Sequence, residues 1–101
     1  MVSVTGSQMQ TILSILDRYV PNTPVWAFGS RVRGNYKSYS DLDLVIIGER
    51  KMSINELGEL IEAFQESDLP FRVDVLDWHA TSPEFRQVIK REYEVLRAVI
   101  Y

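Results

Sequence analysis

Apolar residues recur at helical spacing from Thr5 to Tyr19, with Met9, Ile12, Leu13, Leu16 and Tyr19 along one side. Pro21 closes that segment. Val25 to Gly29 is a short apolar run ending in glycine and predicts a buried strand. Ser30 then opens a predicted short helix with its hydroxyl as N-cap, and Asn35 to Ser40 is polar and turn-rich. Asp41 to Ile47 alternates most clearly. Leu42, Leu44 and Ile46 face the core, while Asp41 and Asp43 share the other side. Val45 and Ile47 continue that second side, so it is partly buried beyond the carboxylates. Gly48 to Met52 is a loop. Ser53 with Glu56 forms a capping box, after which Ile54, Leu57, Leu60, Ile61 and Phe64 line one helix face. Pro70 precedes a third strand, Phe71 to Leu76, rich in β-formers. Ser82-Pro83 starts a last helix with proline at its first position, and Phe85, Val88, Ile89 and Leu96 follow at helical spacing. The tail, Ala98 to Tyr101, fits either a short strand or a frayed end.

Helices and strands alternate along this order. That predicts an α/β (α+β) layer in which helices pack on a small mixed sheet. The 101 residues fit one domain spanning 1–101. A hydrophobic content of 46%, with four Phe, five Tyr and two Trp, supplies a real core of modest size.

Charge narrows the chemistry. The formal net charge is −3, from 11 Lys+Arg against 14 Asp+Glu, where a dedicated nucleic-acid binder is usually basic. Arg31, Arg33 and Lys37 cluster beside the glycine turn, which suits a small phosphate ligand better than a duplex. Absence of cysteine removes disulfides and thiolate metal sites. No apolar run approaches membrane-span length, and the first ten residues lack the pattern of a signal peptide. The expected location is cytoplasmic, with no membrane partner.

Gly29-Ser30, then ten residues, then Asp41-Leu42-Asp43 is the densest candidate for chemistry. Glycine brings backbone close to a ligand, and successive N–H groups in such a turn bind anions such as a triphosphate. Two carboxylates on one strand face hold divalent metal against it. A third carboxylate is expected from a neighbouring strand. Asp74, within Arg72-Val73-Asp74-Val75-Leu76, is the first choice, because a carboxylate in an apolar strand needs a partner. Asp77 is the second, better read as solvated or capping. Each part alone is weak: Asp-x-Asp occurs on many half-exposed strands, and Gly-Ser is ordinary turn chemistry. Their combination is what points to nucleotidyl transfer. Arg31 and Arg33 fit either phosphate contact or a solvated helix face. Tyr36 and Tyr39 are candidates to stack a base, and His79 reads as a loop residue.

Gly29-Ser30-Arg31-Val32-Arg33-Gly34, followed by Ser40-Asp41-Leu42-Asp43-Leu44-Val45, resembles the signature of the minimal nucleotidyltransferases of the polymerase-beta-like superfamily. The match covers Trp26 to Ile47, and the position of Asp74 agrees. The resemblance implies the nucleotidyltransferase fold, with Gly29 and Ser30 on the β/γ-phosphates and Arg31 and Arg33 beside them. It implies Asp41, Asp43 and Asp74 on two Mg²⁺ ions, Asp74 also activating the acceptor hydroxyl, and ATP as the nucleotide. Small members of this kind are often paired with a helical HEPN protein, a toxin whose tyrosine the antitoxin adenylylates. Asn35 to Ser38 departs from the family in lacking a proline. Larger relatives use a further domain to hold the acceptor, whereas this sequence ends soon after the last helix, so the acceptor site is expected to be shared with a partner or another subunit.

Three functions follow: an AMP-transferring enzyme acting on a partner protein, a module that neutralises its partner by docking alone, and nucleotidylation of a small molecule. Leu96, Val99, Ile100 and Tyr101 are candidates for an apolar partner surface. The full carboxylate set favours the enzyme, since unpaired like charges in one pocket repel.

Overall fold

The computed structural model describes residues 2–98. Helix α1 (Gly6–Tyr19) and helix α3 (Ile54–Gln65) start for the same local reason. Thr5 and Ser53 each accept the N–H of the residue three on, Gln8 or Glu56, and that residue's side chain returns the bond to the cap's own N–H. Both N-terminal orphan donors are thus satisfied within four residues of sequence. The Glu56 carboxyl is held below the usual carboxylate range chiefly by the Ser53 N–H it accepts.

The strands are β1 (Val25–Phe28), β2 (Leu42–Ile46), β3 (Val73–Asp77) and β4 (Tyr93–Arg97), in the sheet order β3-β2-β1-β4. β1 runs antiparallel to β2 and β4, and β2 runs parallel to β3. The sheet is therefore mixed, with α3 as the crossover between the two parallel strands. Alternation decides which face each side chain meets. Val25, Ala27, Leu42, Leu44, Ile46, Val73 and Val75 meet Ile12 and Leu16 of α1 and Leu60 and Phe64 of α3 in the main core. On the opposite face, Phe28 and Val45 pack with Ile89 of helix α4 (Pro83–Arg91), flanked by Trp26, Ile47, Leu76 and Trp78.

Three expectations change. Helix α2 (Ser30–Arg33) is capped by Gly29, with no side-chain bond, so Ser30 is its first residue and not its N-cap. The third strand begins at Val73, not Phe71. The last helix stops at Arg91, and Leu96 lies on β4, not on a helical face. Tyr93 stacks on Trp26 of β1 with ring centroids 4.1 Å apart. Arg97 binds the Thr23 and Val20 carbonyls and, at 2.8 Å, the Asp17 carboxylate. Partners some 70 residues away draw this segment into the sheet. Leu96 packs against the main core; Val99, Ile100 and Tyr101 lie outside the described residues. No helix among the described residues is long and apolar enough to cross a membrane.

Candidate active site

β1 ends at Phe28, and the chain turns at Gly29 with φ 82° and ψ −163°, a region that is essentially glycine's alone. A Cβ there would lie 2.1 Å from Asp43 Oδ2. The same glycine therefore makes the turn and lets a carboxylate lie against the main chain. Register then builds the site. Phe28 sits opposite Asp43 across the antiparallel pair, and Asp74 sits opposite Asp43 across the parallel pair. Residues directly opposite one another point to one face. Asp43 and Asp74 thus stand side by side on the face turned away from α1 and α3.

Burial is the main cause that raises Asp43 from its usual 3.8 to about 6; the charges of Asp74 and Asp41 add to it, and Arg33 opposes them. Three carboxylates and one guanidinium therefore share a field around Asp43, with negative charge in excess. Asp74 is drawn to Arg72 at 2.9 Å. The Ser30 hydroxyl, at the head of α2, makes no hydrogen bond among the described residues. A groove of about 910 Å³ contains Asp43, Asp74, Arg72, Phe28 and Phe85 and continues along β3 toward Ile61 and Leu69. An all-oxygen, anionic donor set suits a hard cation such as Mg²⁺. Among the described residues, no three His, Cys, Asp or Glu side chains are already drawn together as a cation cluster.

Other candidates are placed elsewhere. Arg31, expected beside phosphate, is buried and spends its guanidinium on the Ser40, Ser3 and Ser38 carbonyls at 2.9, 2.8 and 3.0 Å, stacked 4.0 Å from the Phe71 ring. It braces the loop that leads into β2. Tyr36 and Tyr39 line a separate groove with Arg31, away from the carboxylates. Asp77 is three residues from Asp74 and so faces the opposite side of the strand. It is buried, not solvated, and accepts the Met52 and His79 N–H groups, the capping role expected of it. His79 itself reaches the Gly48 carbonyl at 2.6 Å and ties the end of β3 to the loop after β2. The motif pattern does not single out Arg72, Phe28 or Phe85. A signal for Phe28 is nonetheless present, since it is the first residue before the glycine turn on a strand that must pair with β2. Phe85 meets Phe28 edge-on at 6.1 Å only because α4 folds back over the sheet.

Residues 10–98 match the family described as polymerase beta, nucleotidyltransferase. A Haemophilus influenzae protein named probable protein adenylyltransferase MntA is 47% identical over 96 residues, which are 95% of this chain and 84% of the relative. A toxin-antitoxin crystal structure with AMP-PNP superposes with a TM-score of 0.76 at 22% identity, covering 89% of this chain and 73% of that one. The structure of a tri-AMPylated Shewanella oneidensis HEPN toxin with an MNT antitoxin gives a TM-score of 0.70 at 22% identity, covering 91% and 71%. At these identities the two structures establish the nucleotidyltransferase fold. With its fold, its family match and its near relative in agreement, this chain is a minimal nucleotidyltransferase and belongs to the polymerase beta nucleotidyltransferase family.

Proposed function

We propose that this chain, acting as one domain over residues 1–101 in the cytoplasm, is a Mg²⁺-dependent adenylyltransferase. It moves AMP from ATP to a tyrosine hydroxyl of a helical HEPN-type partner and so serves as the antitoxin of a pair. The relative's name includes protein adenylyltransferase, and the Shewanella toxin is described as AMPylated in complex with its antitoxin. The observation that carries the reading is the register that sets Asp43 beside Asp74, with Asp43 against the Gly29 main chain.

In this reading Asp41, Asp43 and Asp74 would hold Mg²⁺, which would supply positive charge against the triphosphate. Gly29 and Ser30 hold the β/γ-phosphates through the turn's N–H groups and the unengaged hydroxyl, and Arg33 adds positive charge. Asp74, at the open side of the pair, accepts the proton of the acceptor hydroxyl. The acceptor oxygen bonds to the α-phosphorus as the bond from that phosphorus to the pyrophosphate oxygen breaks. Arg31 is left out of this machinery, because each of its three guanidinium nitrogens already donates to a main-chain carbonyl.

Labelled ATP, Mg²⁺ and a HEPN-type partner are expected to give labelled partner and free pyrophosphate. Asp43→Asn is expected to lower transfer roughly 10³-fold, the scale of removing a group that acts chiefly in the transition state. The docking alternative draws on one observation, that the acidic side chains are not drawn together beforehand. Neutralisation of the partner by Asp43→Asn at the wild-type level, without label transfer in either protein, would make docking the right reading.

A further inference from the structure

β3 lies at the edge of the sheet, and its outer side pairs with no described strand. Its main-chain directions follow from one bond. The Leu42 N–H donates to the Arg72 carbonyl at 2.9 Å, while Leu42 stands in register with Val73. Successive residues of a strand aim their N–H and C=O groups to opposite sides. Arg72, Asp74 and Leu76 therefore face β2, and Val73 and Val75 present theirs outward. Proteins usually blunt such an edge with proline, a bulge or a covering segment. Residues 73–77 contain no proline, and their ladder to β2 has no register shift. The groove that holds Asp43 and Asp74 also includes Val73 and Val75, with Leu69 and Phe71 contributing apolar wall.

We propose that this edge is the acceptor's docking site: an extended peptide segment bearing a hydroxyl side chain adds antiparallel to β3. Its main chain bonds Val73 and Val75, and its hydroxyl residue sits opposite Asp74. The proposal rests on the adenylyl-transfer reading for its purpose, and the groove's continuity with the carboxylates selects the occupant. Main-chain bonds supply affinity in this mode, and alternate side chains supply specificity. The residue opposite Asp74 shares its face. Asp43 is two strand spacings away, about 9–10 Å from the added strand. A serine hydroxyl ends beside Asp74, whereas a tyrosine phenol extends over it toward Asp43, so the geometry selects the longer side chain. The transferred bond is the one described above, with the phenol proton passing to the Asp74 carboxylate.

The test uses the ¹⁵N-labelled full chain and an acetylated, amidated peptide, Thr-Thr-Val-Thr-Val-Tyr-Val-Thr-Thr. At saturating peptide, amide exchange at Val73 and Val75 is expected to slow at least about tenfold, as for newly bonded edge amides. The same peptide with both tyrosine-flanking valines N-methylated is expected to give no protection. Unchanged exchange at both amides, or equal protection by the methylated peptide, overturns the docking proposal. With ATP and Mg²⁺ added, peptide labelling without edge protection sinks the docking mode and keeps the transfer reading. Edge protection without any labelling supports the docking mode and counts against transfer.

Discussion

The two faces of the sheet are built from the same strands and have opposite fates. One face is closed by α1 and α3 and carries Leu42, Leu44 and Ile46 essentially without exposure. The other is covered in part, by Ile89 of α4 and by Trp78, and there Asp43 and Asp74 remain in an open groove. Alternation along β2 and β3 writes both faces at once, because each residue's neighbour belongs to the other side. The contrast teaches that parity separates the carboxylates from the main core, although Val45, on the carboxylates' face, is buried against Ile89. A substitution at an even position of β2 is felt by the core, and one at Asp43 by the site.

The largest effect on the closed face is expected from Leu44→Ala, which removes a fully buried side chain between the two helices. It should cost about 3 kcal/mol, read by urea unfolding. Transfer per folded molecule should stay within a few-fold of wild type. A comparable loss of transfer at temperatures where the variant is fully folded would end the separation of faces.

Gly29→Ala tests the junction between the faces. The backbone conformation at 29 excludes a side chain, and the added Cβ would meet Asp43 Oδ2. A penalty of about 2–3 kcal/mol is expected from the strained dihedrals alone, with transfer falling at least as steeply as for a carboxylate variant. Retention of transfer would show that Asp43 can act from a different position.

Arg31 and Arg33 sharpen the comparison two residues apart on one short helix. Arg31→Ala leaves three carbonyls without their donors and should cost about 2 kcal/mol, with nucleotide affinity unchanged once folded. Arg33→Ala should leave stability within about 0.5 kcal/mol and weaken ATP binding several-fold by titration. The reverse pattern would return Arg31 to the phosphate.

Local signals carry most of this fold. The capping boxes of α1 and α3 involve residues three apart, and the Asp41-Leu42-Asp43-Leu44 alternation is visible without any partner. The odd spacing of Asp74 and Asp77 places them on opposite faces by strand alternation alone. Where the fold departs from the local pattern, the cause is distant. Leu96 follows Ile89 by seven residues, a helical interval, yet stacking of Tyr93 on Trp26 and the Arg97 bonds to Thr23 and Val20 pull that stretch into a strand. Arg31 has the charge for phosphate, but Phe71 and the Ser3 carbonyl, remote in sequence, decide its use. Ser30 lies one residue inside its helix and does not cap it, because Gly29 already supplies the first helical carbonyl.

The smallest expected effect isolates the field on the open face. The Asp43 carboxyl titrates near 6 in the folded protein against a usual 3.8, with burial first and the Asp74 and Asp41 charges next among the causes. The folded state therefore holds this proton more tightly than the unfolded chain. Its stabilising contribution is complete below about pH 4 and is lost as pH rises through 6. Asp43→Asn abolishes that dependence. In metal-free buffer the variant should match wild type near pH 4, allowing for the lost charge, and exceed it at pH 7.5 by about 1 kcal/mol after solvent screening of the half-open site. Added Mg²⁺ should raise the wild-type melting temperature at pH 7.5 and leave the variant's nearly unchanged, since the cation relieves the same repulsion that the substitution removes. Parallel stability curves for the two proteins between pH 4 and 8 would mean that Asp43 is as well solvated as any surface carboxylate, and the open face would lose its claim to a cation.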